Sequence, residues 1–165
     1  MKFHTHWARL ALAFSVCLGS ITVAHAQSDP VVLTITAPKA APLVAASFTM
    51  KFLKSLPQRS FVTKTPYYKD PVKFTGPLLR DVLAAAKVKG ELMNAIALDD
   101  YQIKIPFSDA MDFDVILAHQ INGETLTPKN KGPLFIVYPL DSKPELQTVR
   151  VYERMVWQLK ALRVE

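Results

Sequence analysis

The 165-residue sequence has a single cysteine, Cys17, and four histidines. No apolar run reaches the ~18 residues that a membrane-crossing helix requires. No internal repeat, low-complexity tract or long block of one charge occurs. Half the residues are hydrophobic and 21% are charged, a balance that excludes a disordered or fibrous chain. The length suits one domain with a real core.

The first 26 residues concentrate what the rest lacks. Lys2 and Arg9 form a basic head, Leu10 to Val23 is an uncharged, mostly apolar stretch, and Ala24-His25-Ala26 supplies small residues at the −3 and −1 positions of a cleavage site. That order predicts a secretory signal peptide over residues 1–26 and an exported domain over 27–165. Polar Gln27-Ser28-Asp29 follows at once, which argues against an anchor. A lipoprotein would carry lipid at Cys17, but Val16 stands before it where a small residue is wanted.

Processing sharpens the absences. Loss of Lys2 and Arg9 takes 20 basic side chains to 18 against 14 acidic ones, a net charge of +4. Cys17 leaves, as do His4, His6 and His25, so His119 is the one remaining histidine. A disulfide scaffold is excluded, although the exported compartment would permit one. Thiolate metal sites, Fe–S clusters, cysteine nucleophiles and multi-histidine zinc sites are excluded as well. The mild, scattered basic charge lacks the stripe expected of a nucleic-acid binder.

Along the remaining chain, β-branched Val31 to Thr36 predicts a strand, and Met50 to Leu56 a short helix capped by Thr49 and stopped by Pro57. Phe61 to Thr65 alternates as a strand, and Pro66 to Thr75 is a loop rich in Tyr, Lys and Pro. Pro77 to Val88 is the clearest helix, with Leu78, Leu79, Val82, Leu83 and Ala86 on one face and Gly90 as a stop. Ala95 to Leu98 and Tyr101 to Ile105 are strand-like around Asp99-Asp100, Pro106 to Met111 makes a helical turn, and Asp114 to Gln120 is a strand. Asn122-Gly123 is a hairpin signal, Leu134 to Tyr138 a buried strand, and Val156 to Val164 a last, alternating strand. The expectation is a compact α+β domain with a mixed sheet and few short helices.

Three polar groupings yield to plainer readings. His119 sits in an apolar strand with no G-x-S-x-G serine motif nearby, so it is structural or surface. Asp109, Asp112 and Asp114 lack the central Gly and terminal Glu of a calcium loop, and read as a helix-start cap and solvated carboxylates. Asp99-Asp100 reads as a turn, because adjacent side chains point apart. Two groupings survive: the loop Thr65-Pro66-Tyr67-Tyr68-Lys69, and Arg150, Tyr152, Arg154 and Trp157 near the C-terminus. Aromatic faces beside Arg or Lys suit a flat, polar ring; a Tyr/Trp-rich core edge with surface cations would look the same.

The segment Phe74-Thr75-Gly76-Pro77-Leu78-Leu79-Arg80-Asp81-Val82-Leu83 resembles the "W-x-G-x-P-L-x-D-L-L" of the sulfite-oxidase-type molybdopterin-binding domain family. Asp100-Tyr101 with Ile105-Pro106 and Asp109-Ala110 resembles that family's "D-x-Y-x-x-x-x-P-x-x-D-A". Asp114 to Ala118 followed by Asn122 to Leu126, Lys131-Gly132-Pro133-Leu134 with Val137-Tyr138-Pro139, and Arg154 to Leu159 are similar to its later segments. The order holds from about Phe48 to the end.

The resemblance implies a pterin-type cofactor, and also a departure. Enzymes of the family hold molybdenum through one cysteine on the loop between the Phe61 strand and the Phe74 segment, which here reads Thr63-Lys64-Thr65-Pro66-Tyr67-Tyr68. The chain looks most similar to a small exported branch sharing "L-P-Q … T-x-T-P-x-Y" (Leu56-Pro57-Gln58, Thr63 to Tyr68) and "V-W-Q-L". That branch implies a non-catalytic, periplasmic protein binding a pterin without molybdenum and signalling to the periplasmic part of a membrane receptor of cyclic-di-GMP enzymes. Molybdopterin, in an oxidoreductase or a subunit of one, is the alternative. Tyr67 or Tyr68 is expected to stack on the ring, Arg154 to fork to its edge or to its side-chain hydroxyls, Lys131 to reach the same cavity, and Trp157 either to wall the pocket or to belong to the core; no catalytic and no metal-ligating residue is expected.

Overall fold

A computed structural model describes residues 29–39 and 42–165. The leader over residues 1–26 and Cys17 lie outside the described residues. The β-branched run forms β1 (Val31–Ala37), which turns back through β2 (Val44–Thr49) into α1 (Met50–Ser55). Thr49 ends β2 and caps α1, its hydroxyl accepting from the Phe52 N–H at 3.2 Å. The chain continues through β3 (Gln58–Thr63), β4 (Val72–Pro77), α2 (Leu79–Ala85), β5 (Leu92–Ala97), β6 (Gln102–Pro106) and α3 (Phe107–Asp112). Then follow β7 (Ile116–Ala118), β8 (Gln120–Ile121), β9 (Glu124–Thr125), β10 (Phe135–Val137), α4 (Val149–Arg154) and β11 (Leu159–Val164). No helix among the described residues is long and apolar enough to cross a membrane.

Five strands build a mixed sheet in the order β2-β1-β11-β5-β6, in which only β1 and β11 run parallel. A second, antiparallel sheet orders β3-β4-β8-β9, and β7 pairs with β10 beside it. One cluster of buried side chains runs through both sheets. It takes in Leu33 and Ile35 from β1, Met93 and Ala95 from β5, Leu162 and Val164 from β11, Leu79, Val82 and Leu83 of α2, and Phe74, Phe135 and Tyr138. Val115, Leu117, Leu134 and Ile136 are fully buried, as their apolar runs require.

The α+β expectation holds, with four local differences. The helix expected over Pro77 to Val88 is shorter, because Pro77 closes β4 opposite Gln58 and the Leu79 N–H bonds to the Val115 carbonyl at 2.8 Å. Val44–Thr49 is a strand to which no element was assigned, and Val72–Pro77 is a strand where most of its length was expected to be loop. The Asp114 to Gln120 stretch divides into β7 and β8, with the His119 N–H turned to the Thr75 carbonyl. The alternation of Val156 to Val164 breaks at a register shift between Leu159 and Ala161, so Leu159 and Leu162 are both buried.

Gly76 and Gly123 are each required by geometry, for different reasons. A Cβ on Gly76 would lie 2.0 Å from the Leu117 carbonyl oxygen, a close approach only glycine permits. Asn122 and Gly123 take φ of 51° and 87°, the doubly left-handed turn that matches strand twist in a two-residue hairpin.

Candidate functional site

The loop after β3 is held by Asp141. Its Oδ2 accepts from the Lys64 N–H at 2.7 Å and from the Thr63 hydroxyl at 3.2 Å, while its own N–H donates to Thr63 Oγ1. Thr63 and Thr65 are buried, and Thr65 Oγ1 accepts from the Tyr67 N–H. These contacts fix where Tyr67 and Tyr68 emerge.

Tyr67 packs edge-on to Trp157, ring centroids 5.0 Å apart at 83°, and its hydroxyl donates to the Tyr152 carbonyl of α4. Phe135 lies behind both rings. In front of them opens a cleft of about 240 Å³, walled by Tyr67, Tyr101 and Trp157, floored by Ala97, Met155 and Val156, and rimmed by Asp99 and Glu153. Asp99 and Tyr101 come from the β5–β6 turn, where Asp99 Oδ1 accepts from the Tyr101 N–H and Asp100 adopts a left-handed φ of 65°. The Asp99-Asp100 pair is therefore a turn, and that turn presents a carboxylate and a phenol to the cleft. Burial raises the Tyr67 and Tyr101 phenols above their ordinary range, and the Glu153 charge adds to the effect on each.

The other expected residues divide. Lys131, at a left-handed φ of 73°, places its ammonium 4.5 Å from the Trp157 ring centre and 5.8 Å from that of Tyr68. Tyr68 leans on Phe74 and lines a different, shallow depression with Asn122 and Asn130. Arg154 does not line the cleft. Its Nη1 donates to Asp109 Oδ2 at 2.8 Å, and the Tyr138 hydroxyl donates to the same oxygen at 2.7 Å. Asp109, expected to be solvated, is thus a buried acceptor. Burial, followed by the Asp109 charge, drives the Tyr138 phenol far above its ordinary range.

His119 is also internal. Gln58 donates its amide hydrogens to the Leu53 and Leu56 carbonyls, which turns its oxygen toward His119 Nε2 at 2.8 Å. The histidine is therefore the Nε2–H tautomer, and its buried Nδ1 has no partner among the described residues. Sequence reading missed Asp99, Tyr101 and Glu153 as cleft residues. The fragment Asp100-Tyr101-x-x-x-Ile105-Pro106 was the available signal for that turn; nothing marked Glu153.

The geometry can be set against known proteins. The oxidoreductase molybdopterin-binding domain family matches residues 21–141. The chain belongs to this family. The match covers β1 through β10, while α4 and β11, including the closing Arg154 to Leu159 segment, lie beyond it. Among solved structures, the sulfane dehydrogenase SoxCD from Paracoccus pantotrophus is similar at 21% identity with a TM-score of 0.58, over 80% of this chain and 37% of that one. The likeness shows a shared fold, and the chain spans well under half of the dehydrogenase chain. A comparison with curated proteins finds no match.

The family's cofactor can be tested against the donors present. The loop on which the resemblance places a molybdenum-ligating cysteine offers two threonine hydroxyls already engaged with Asp141 and the Tyr67 N–H. No group of three or more His, Cys, Asp or Glu that could hold a metal stands together among the described residues. Neutral hydroxyls do not replace a soft thiolate. The residues do not fit thiolate-held molybdenum.

Proposed function

We propose that this family member is an exported protein that binds a pteridine ring in the Tyr67–Trp157 cleft and does no redox chemistry of its own. The observation that carries the reading is an aromatic-walled cleft beside a cofactor loop that has no thiolate. Aromatic walls take a flat ring by stacking. At about 240 Å³ the cleft is smaller than the ~300 Å³ at which pockets for drug-sized ligands begin, so it suits one or two fused rings. The leader and the similarity to the exported branch support a periplasmic sensor component that reports its ligand to a membrane receptor. The family match supports the second reading, a molybdopterin-dependent oxidoreductase or subunit.

Protein purified from the exported fraction separates the two readings. Denaturing extraction, followed by fluorescence and mass analysis, is expected to release a pteridine, with molybdenum far below one atom per chain. One molybdenum per chain, or turnover of a dye acceptor with a defined substrate, would make the enzyme reading the correct one.

A further inference from the structure

The polar groups of the cleft are nearly all acceptors. Among the described residues, Asp99 and Glu153 are its only charged lining residues, and both are exposed at the rim. The two phenolic hydrogens are spent on backbone: Tyr67 donates to the Tyr152 carbonyl and Tyr101 to the Glu153 carbonyl, the latter at 3.4 Å. One oxygen of Asp99 is occupied by the Tyr101 N–H, whereas the Glu153 carboxylate has no hydrogen-bond or ion-pair partner among the described residues. Lys131 and Arg154, the nearby cations, are directed to the Trp157 and Tyr68 rings and to Asp109 respectively, and line no part of the cleft.

A ligand here must therefore bring the hydrogens. An oxyanion would meet two carboxylates and no cation. A flat ring whose edge carries an exocyclic amine next to a ring N–H presents two parallel donors, which a carboxylate accepts as a fork. We infer that the cleft selects its ring by such a paired N–H edge, with Glu153 as the acceptor and the aromatic walls holding the ring. This rests on the cleft being the pteridine site, and it specifies which pteridines enter: those with a 2-amino-4-oxo edge rather than a 2,4-dioxo edge, whose carbonyl would face the carboxylate.

Calorimetric titration of the processed protein with pterin and with lumazine, the dioxo analogue, tests the inference. Pterin is expected to bind at least about 10-fold more tightly, the scale of a charge-assisted hydrogen bond. In Glu153→Gln, whose side chain is exposed, that preference is expected to fall to about threefold or less with an unchanged thermal midpoint. Asp99→Asn should lower it less. Equal binding of the two rings by the parent, or a preference that survives Glu153→Gln, overturns the inference and leaves the pteridine reading standing. Binding of neither ring overturns both.

Discussion

Glu153 and Arg154 are neighbours on α4, and the fold gives them different surroundings. A step of one helical residue turns the side chain by about 100°, which places Arg154 against buried Asp109 and Tyr138 and leaves Glu153 at the rim of the cleft. The inward constellation is closed: the carboxylate oxygen that accepts from Arg154 also accepts from Tyr138, and the guanidinium side chain is 17% exposed. The outward one is open, with aromatic walls and a carboxylate without a partner. An arginine in an aromatic-rich segment looks like a ligand contact until its acidic partner is found, and here the partner is 45 residues away on α3.

The largest effect is expected on the closed side. Asp109→Ala leaves the Arg154 charge and the Tyr138 hydroxyl unpaired in the interior, and should cost about 3–5 kcal/mol in a urea melt. Arg154→Ala should cost a similar amount, and the double variant should show coupling of up to about 3 kcal/mol. If Arg154→Ala were as stable as the parent but lost pterin, Arg154 would belong to the ligand and the contrast would fail.

On the open side, effects should appear in binding more than in stability. Trp157→Ala removes a ring wall and should weaken pterin by about 10-fold, in keeping with the ~1–3 kcal/mol of stacking on an aromatic side chain. Tyr67→Phe keeps the ring and loses the hydroxyl bonded to Tyr152, so it should cost about 0.5–1.5 kcal/mol of stability and change pterin affinity little. A larger affinity loss for Tyr67→Phe than for Trp157→Ala, measured by calorimetry, would mean that the phenol meets the ligand.

His119, elsewhere in the interior beside Gln58, gives the fold a pH signature. Its pKa lies below the ordinary 6.5, chiefly through burial and then through the Lys54 charge. The unfolded chain therefore takes up the proton first as pH falls. Stability from this residue is complete above about pH 6.5 and is lost as pH drops through the window beneath it. Thermal midpoints should fall between pH 7.5 and 5.5, and His119→Gln should reduce that fall; an equal fall in the variant would remove His119 as the cause. The smallest effect belongs to the exposed pair Arg80–Asp114, bonded at 2.8 Å with Asp114 59% exposed. Arg80→Ala should cost under about 1 kcal/mol. A loss near that of Arg154→Ala would break the distinction between buried and exposed pairs.

Much of the fold was legible because local chemistry and tertiary context agree. The Thr49 cap, the Asn122-Gly123 turn and the fully buried Leu134 to Tyr138 segment each carry a signal that the packing reinforces. Val72–Pro77 was hidden because it is short, ends in proline and takes its strand identity from Phe61 and Ile121 on its two sides. In the cleft, Tyr67 was legible as an aromatic of the Thr65–Lys69 loop and Trp157 as one of the C-terminal aromatic–cationic cluster. Asp99, Tyr101 and Glu153 were hidden because they converge only when the β5–β6 turn meets the end of α4. No sequence period links residues 52 positions apart.

The most direct measurement is a crystal structure of residues 27–165 soaked with pterin. The account predicts ring density in the cleft lined by Tyr67, Tyr101 and Trp157, with the amine edge toward Glu153. Density instead in the neighbouring cleft of Lys64, Thr65, Asp141 and Gln147, beside the family's cysteine loop, with the Tyr67–Trp157 cleft holding only solvent, would contradict it.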